Sequence, residues 1–340
     1  MKNGMIIAGN MLVDALKDVD VYPEHSKLTT IRRVRRALGG LVCNCALDLA
    51  RLDRELPITV VGAIGDDDNG RLIREVMGRY PNISFDGVKV TGQTSFTDAM
   101  CDLTNRTRTF FTFRGASGEL TPADFDFNAL RGDILHIGYM LLLDGLDAPD
   151  PEYGTAMARV LAAAQAAGKL TSVDLVSEES DRYVRIVPPA LCYTDYCVIN
   201  ELEAERITGI SISRPNGYLD EAAAGRALDA LRAMGVRRWA VIHSRNESVG
   251  SEREGAYEVV PSIDVPREII AGTTGAGDAF CSGILYGAYR EMGLRDAMKF
   301  ATAVATSSLL EPGASDGVLT YEQTLAFGEE YIIRYGEVRL

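Results

Sequence analysis

The sequence predicts an α/β fold with a mainly parallel sheet and a small second sheet standing off it. Three observations carry that expectation. Short apolar runs of strand length alternate with longer segments of helical spacing, as parallel strands joined by crossover helices require. Several runs stop at small or polar residues, at Gly65-Asp66, Asp174 and Asn200. Two stretches, 13–36 and 94–114, break the rhythm with β-branched residues and phenylalanine and no helix between them.

Taken in order, residues 5–8 read as the first strand. Gly39-Gly40 opens a helix that continues through Leu52. The apolar run 58–63 is a strand, and 67–77 has helical spacing. Residues 96–103 and 107–113 form a hairpin about Thr104-Asn105-Arg106, whose residue types suit a turn. The alanine-rich helix 155–167 stops at Gly168, a good C-cap. A strand over 170–173 ends at Asp174, and another ends at Asn200, where the helix 201–207 begins. Helix 221–234 is capped by Gly235 and precedes the strand 239–242. The helix 275–292 is apolar nearly all round, with Gly283 and Gly287 one turn apart, so it is buried and tightly packed. Residues 301–310 form a second buried helix. With no repeat, low-complexity tract or long linker, the chain reads as one domain over 1–340, with lid segments at 13–36 and 94–114.

Composition narrows the function. A chain of 340 residues, 46% hydrophobic and 24% charged, can bury a full core. A net charge of −13 argues against nucleic acid or an anionic membrane as main partner. No apolar run is long enough to span a bilayer, and the first ten residues turn polar too soon for a secretory signal. The six cysteines form no Cys-x-x-Cys pair and there are three histidines, so neither structural zinc nor a disulfide framework is expected. They read as reduced, mostly buried thiols of a cytoplasmic protein.

The chemistry concentrates in Thr273-Thr274-Gly275-Ala276-Gly277-Asp278, immediately before an apolar helix. Small residues let the N–H groups of Gly275, Ala276 and Gly277 turn toward an anion, and the helix dipole adds to the attraction. Asp278 falls in the first helical turn beside that anion. An anion hole next to a lone carboxylate suits phosphoryl transfer, in which the acid takes a hydroxyl proton. No Gly-Lys-Ser/Thr follows, so this is no Walker loop, and the G-x-x-G-x-G spacing is not the dinucleotide fingerprint.

The string Gly272-Thr273-Thr274-Gly275-Ala276-Gly277-Asp278 resembles the C-terminal signature of the ribokinase-like (PfkB) carbohydrate kinases, D-T-T-G-A-G-D, at six of seven positions. Gly39, Gly40, Asn44 and Ala46 resemble that family's N-terminal G-G-x-x-x-N-x-A, and Asn200 with Glu203 its N-x-x-E. Asp14, Gly62-Ala63-Ile64-Gly65-Asp66-Asp67 and Gly313-Ala314 also match, in the family's order. The resemblance implies a doubly wound sandwich with a β lid, and ATP-dependent, Mg²⁺-requiring phosphorylation of a hydroxymethyl group. It makes Asp278 the general base and assigns Asn10, Asp14, Gly39, Gly40 and Asn44 to the acceptor. It assigns Thr273, Thr274, Gly313, Ala314 and Asn200 to the nucleotide side, and Asn200 and Glu203 to Mg²⁺ through water.

Two departures stand out. Gly272 replaces the acid that in many members helps to hold a monovalent cation, so potassium activation is not expected. His243 and Arg245 stand where the family has Thr-x-Gly, and so bear on nucleotide choice or phosphate contact. The run Ile31-Arg32-Arg33-Val34-Arg35-Arg36 reads as a solvated face, or as attraction for an anionic acceptor joined by Arg106, Arg108 and Arg114. The function expected is phosphorylation of a sugar-like primary alcohol. A nucleoside kinase, with Phe96, Phe110, Phe111 and Phe113 as stacking surface, and a weakly catalytic sugar- or nucleotide-binding protein are the alternatives. An exposed lid sheet also offers an edge for a homodimer.

Overall fold

The computed structural model describes residues 3–105, 107–178 and 180–338. Its elements run β1 (Met5–Gly9), β2 (Leu12–Val19), β3 (Ile31–Gly39), α1 (Leu41–Leu52), β4 (Ile58–Ile64), α2 (Asp68–Met77), β5 (Ile83–Val90), β6 (Ser95–Asp102), β7 (Thr107–Phe113) and β8 (Ile134–Met140). A one-turn α3 (Asp144–Asp147) and the short pair β9 (Pro149–Asp150) and β10 (Gly154–Thr155) lead into α4 (Ala156–Ala166). Then follow β11 (Leu170–Leu175), α5 (Tyr183–Leu191), β12 (Tyr196–Asn200), α6 (Glu201–Thr208), α7 (Glu221–Ala233), β13 (Trp239–His243), β14 (Glu247–Arg253), β15 (Ala256–Pro261), α8 (Ala276–Tyr289), α9 (Leu294–Ser308) and α10 (Tyr321–Tyr335). Among the described residues no helix is long and apolar enough to cross a membrane.

The main sheet has nine strands in the order β15-β14-β13-β12-β11-β8-β1-β4-β5. From β13 to β5 all pairings are parallel, and β14 and β15 add an antiparallel edge. Alternate residues of each strand feed two cores, as helices on both faces require. Met5 and Ile7 join one core with α1, α8 and α9, and Ile6 and Ala8 join the other with α4, α5 and α7. From β1 the chain builds outward through β4 and β5, then returns to β8 on the other side and builds toward β13. The carboxyl ends of β1 and β8 are thus a topological switch point, where doubly wound sheets place their ligands.

A second sheet, ordered β3-β2-β6-β7, stands off this edge. Its centre, β2 with β6, is parallel, and the outer pairs are antiparallel. Arg106, expected in the β6–β7 turn, lies outside the described residues.

Two helix bounds differ from expectation by more than two residues. The second buried helix begins at Leu294, two turns before 301, because Arg295, Asp296 and Lys299 on its outer side interrupt the apolar run. Its inner positions Leu294, Ala297, Met298 and Ala301 keep helical spacing and are buried. The preceding helix ends at Tyr289 rather than 292, since Glu291 turns to φ 59°. Gly283 and Gly287 let α8 and α9 meet: a Cβ on Gly283 would lie 2.5 Å from Ala301 Cα, and one on Gly287 2.6 Å from Ala297 Cβ.

Candidate functional site

The turn before α8 is built from Thr273, Thr274 and Gly275. Gly275 caps the helix at φ 80°, and a Cβ there would lie 2.6 Å from the Ala314 carbonyl oxygen, so only glycine fits. The helix then opens with Ala276, Gly277 and Asp278, whose first-turn N–H groups lack intrahelical acceptors. Asp278 is 7% exposed. Its two oxygens are held from opposite sides: Asn44 Nδ2 of α1 donates to Oδ2 at 2.8 Å, and the Tyr139 hydroxyl at the end of β8 donates to Oδ1 at 2.5 Å. Burial raises the Asp278 pKa, and these two donors oppose the rise by favouring the anion. Tyr139 is the site residue that the sequence did not single out.

Asp14 comes from β2 of the second sheet. Burial, and secondarily the charge of Asp278, push its pKa up to about 7. Gly39 faces it closely, since a Cβ there would sit 2.3 Å from Asp14 Oδ2. Gly40 adopts φ 81° and abuts the Asn10 carbonyl. Asn10 itself is 3% exposed, and its Oδ1 accepts from the N–H of Tyr139 at 3.1 Å and of Leu41 at 3.4 Å. That side chain therefore ties the end of β8 to the start of α1, and so positions both donors to Asp278. Deeper, His136 Nε2 and Cys281 Sγ lie 3.7 Å apart near Asp174; burial holds the imidazole pKa down at about 3, so it is neutral.

On the other flank of the Gly275 turn lies a cavity of about 760 Å³, lined by Thr273, Ala276, Gly277, His243, Arg245 and Asn200 among others. The His243 ring packs 5.0 Å from the Phe280 ring, and burial lowers its pKa to about 4. A neutral imidazole offers a packing surface rather than a counter-charge. Gly313 and Ala314 do not line this cavity. They border a smaller cleft of about 220 Å³ together with Asn44, Arg36 and Asp316. Gly272 rests against the carbonyls of Glu311 and Pro312 and itself carries no carboxylate.

Asn200 and Glu203 form a capping box on α6: Asn200 Oδ1 accepts from Glu203 N at 2.9 Å, and Glu203 Oε2 from Asn200 N at 3.1 Å. Ser177 Oγ donates to Glu203 Oε1 at 2.9 Å. Burial raises Glu203 to about 6. With both oxygens engaged and the residue 3% exposed, Glu203 would meet a cation through that cation's waters. The all-oxygen set of Asn200, Glu201 and Glu203 fits hydrated Mg²⁺, which keeps several waters.

The basic run of β3 is partly paired. Arg32 pairs with Asp20, and Arg33 and Arg35 both pair with the buried Asp18, at 3.0 and 2.9 Å. Arg114 pairs with Asp144. Three of the run's four arginines are thus engaged, but by two carboxylates, so net positive charge remains on this strand.

A family model described as pfkB family carbohydrate kinase matches residues 7–320. The chain is 26% identical over 313 residues to an ATP-dependent ribose-1-phosphate kinase of Halopiger xanaduensis, covering 91% of this chain and 93% of that protein. It is 22% identical over 335 residues to a ribokinase of Haemophilus influenzae, covering 97% and 99%. The fold matches that of Arabidopsis thaliana ribokinase complexed with ribose and ATP at a TM-score of 0.78 and 19% identity, over 97% of this chain and 99% of that one.

Proposed function

The chain belongs to the pfkB family of carbohydrate kinases, and from that premise we propose that it transfers the γ-phosphoryl group of ATP to a primary hydroxyl of a sugar or sugar-like acceptor. The observation that carries this reading is the buried Asp278 carboxylate, gripped by Asn44 and Tyr139 one turn beyond the Gly275 cap. The acceptor lies against Asp14 and Asn44, where Gly39 and Gly40 let the backbone pack closely on Asp14 and Asn10, with Asn10 fixing the loop beneath. Ionised Asp14 accepts hydrogen bonds from two neighbouring hydroxyls. Asp278 takes the proton of the attacking hydroxyl. Burial makes it a stronger base than an exposed carboxylate, while its two donors favour the ionised form. The N–H groups of Gly275, Ala276 and Gly277 receive the charge of the phosphoryl group.

The nucleotide occupies the large cavity against Thr273, His243 and Arg245, with Thr274 on the loop above. Mg²⁺, when bound, offsets the charge of the ATP phosphates, and Asn200, Glu201 and Glu203 would hold its waters. No monovalent cation enters this reading, because Gly272 offers no carboxylate. We read 1–340 as one kinase domain, with 13–36 and 94–114 as a lid that excludes water and whose edge strands offer a homodimer contact. A nucleoside acceptor is the second reading, favoured by Phe110, which is 62% exposed on the same face of the lid sheet as Asp14.

The test is MgATP-dependent ADP release over neutral sugars, sugar acids, sugar phosphates and nucleosides, with products identified by phosphorus NMR. The expected result is acceptor-dependent ADP and a phosphate monoester on a primary carbon. No acceptor-dependent ADP, or phosphate on a secondary or anomeric oxygen, contradicts the reading.

A further inference from the structure

The β6–β7 hairpin carries one arginine onto the loop that opens α8. Register places Arg33, Asp18, Cys101 and Arg108 in a single row across the second sheet, on one face. Asp14 lies four residues before Asp18 on the same strand, so it shares that face. Within the row the one acid, Asp18, is already saturated by Arg33 and Arg35. Arg108 instead reaches away from the sheet, and its Nη1 donates to Thr274 Oγ1 at 2.8 Å. Thr274 immediately precedes the Gly275 cap, and Thr273, Ala276 and Gly277 of the same turn line the large cavity. A hydroxyl is a neutral partner. Among the described residues no carboxylate pairs with Arg108, so this contact leaves its charge and further N–H donors at the mouth of the proposed anion hole.

We propose that Arg108 is a catalytic residue delivered by the lid, binding the oxygens of the phosphoryl group as it passes between nucleotide and acceptor. The inference rests on the kinase reading above. The bond from phosphorus to the β-phosphate oxygen breaks and its electron pair leaves with ADP. A bond from phosphorus to the acceptor oxygen forms, and the hydroxyl proton goes to Asp278. Arg108 supplies only charge and hydrogen bonds. A donor that arrives with the lid ties transfer to closure, so the anion hole is completed only when water is excluded.

The experiment compares wild type, Arg108→Ala and Arg108→Lys with the best acceptor. Arg108 is exposed, so both variants should keep the wild-type melting curve. The expected result is a kcat loss of about 10³–10⁵ in Arg108→Ala with acceptor KM within about threefold, the scale of a removed arginine at phosphoryl transfer. Arg108→Lys should recover little, and added guanidinium ion should partly restore Arg108→Ala. A second readout needs no turnover: calorimetric affinity for ADP, with acceptor present, should tighten on adding aluminium fluoride in wild type and not in Arg108→Ala. A kcat in Arg108→Ala within threefold of an active wild type, or equal tightening by aluminium fluoride, overturns this inference alone. A wild type with no acceptor-dependent ADP overturns the kinase reading and this inference with it.

Discussion

Replacing Tyr139 with phenylalanine removes one hydrogen atom's worth of function from the site and leaves the ring in place. The hydroxyl donates to Asp278 Oδ1 at 2.5 Å, while Asn44 continues to hold Oδ2. A hydrogen bond to a charged group contributes about 1.5–3 kcal/mol. At about 1.36 kcal/mol per pKa unit, losing it raises the Asp278 pKa by about one to two units. The sign follows from which form the donor favours. Tyr139 stabilises the carboxylate, so its loss favours the protonated acid, and only the carboxylate can accept the hydroxyl proton. The acid limb of the pH–rate profile should therefore move to higher pH by about one to two units, with a plateau still reached at alkaline pH. The assay is kcat against pH at saturating acceptor. Saturation separates Asp278 from Asp14, which titrates near about 7 but is read here as an acceptor-binding group. An acid limb that stays put, or moves to lower pH, refutes the claim that Tyr139 tunes Asp278.

Two further outcomes follow from the same geometry. Because Asp14 is pushed up to about 7 and binds hydroxyls best when ionised, acceptor KM should fall as pH rises through about 7; Asp14→Asn should flatten that dependence and raise KM roughly tenfold to a hundredfold, the equivalent of a charged hydrogen bond, as read from initial rates at several pH values. Gly283→Ala forces a Cβ to within 2.5 Å of Ala301 Cα, and overpacking of this kind should cost about 1–3 kcal/mol, seen as a lower denaturation midpoint with the slope unchanged.

Much of the architecture was legible in local pattern. The strands around Ile58 and Leu170 are short apolar runs flanked by helices, those around Met5 and Trp239 are short apolar runs as well, and the lid declared itself by lacking helices. The strand β8 went unidentified, although its run after Gly132-Asp133 has strand length and is buried almost throughout. With it went Tyr139, because nothing in a single strand marks its last tyrosine as a partner of a residue 139 positions away. Asp278 and Asn44 were legible because glycines shortly before them announce a close approach, and Asp14 from its place beyond the first strand and the family resemblance. The pairing of Arg33 and Arg35 with Asp18 was not, since it depends on the register of β2 against β3, a tertiary fact absent from either strand alone. Asn10 illustrates the same limit: its position after β1 suggested a ligand contact, and the fold uses its side-chain oxygen to join β8 to α1.

The most direct test of the central claim is single-turnover formation of ADP and phosphorylated acceptor by Asp278→Asn beside wild type. Asparagine keeps the shape of the side chain and removes its basicity. The account expects an unchanged circular dichroism spectrum, retained ATP binding, and a transfer rate lower by about 10²–10⁴, the scale of general base catalysis. A folded Asp278→Asn protein that transfers the phosphoryl group within tenfold of the wild-type rate would contradict it.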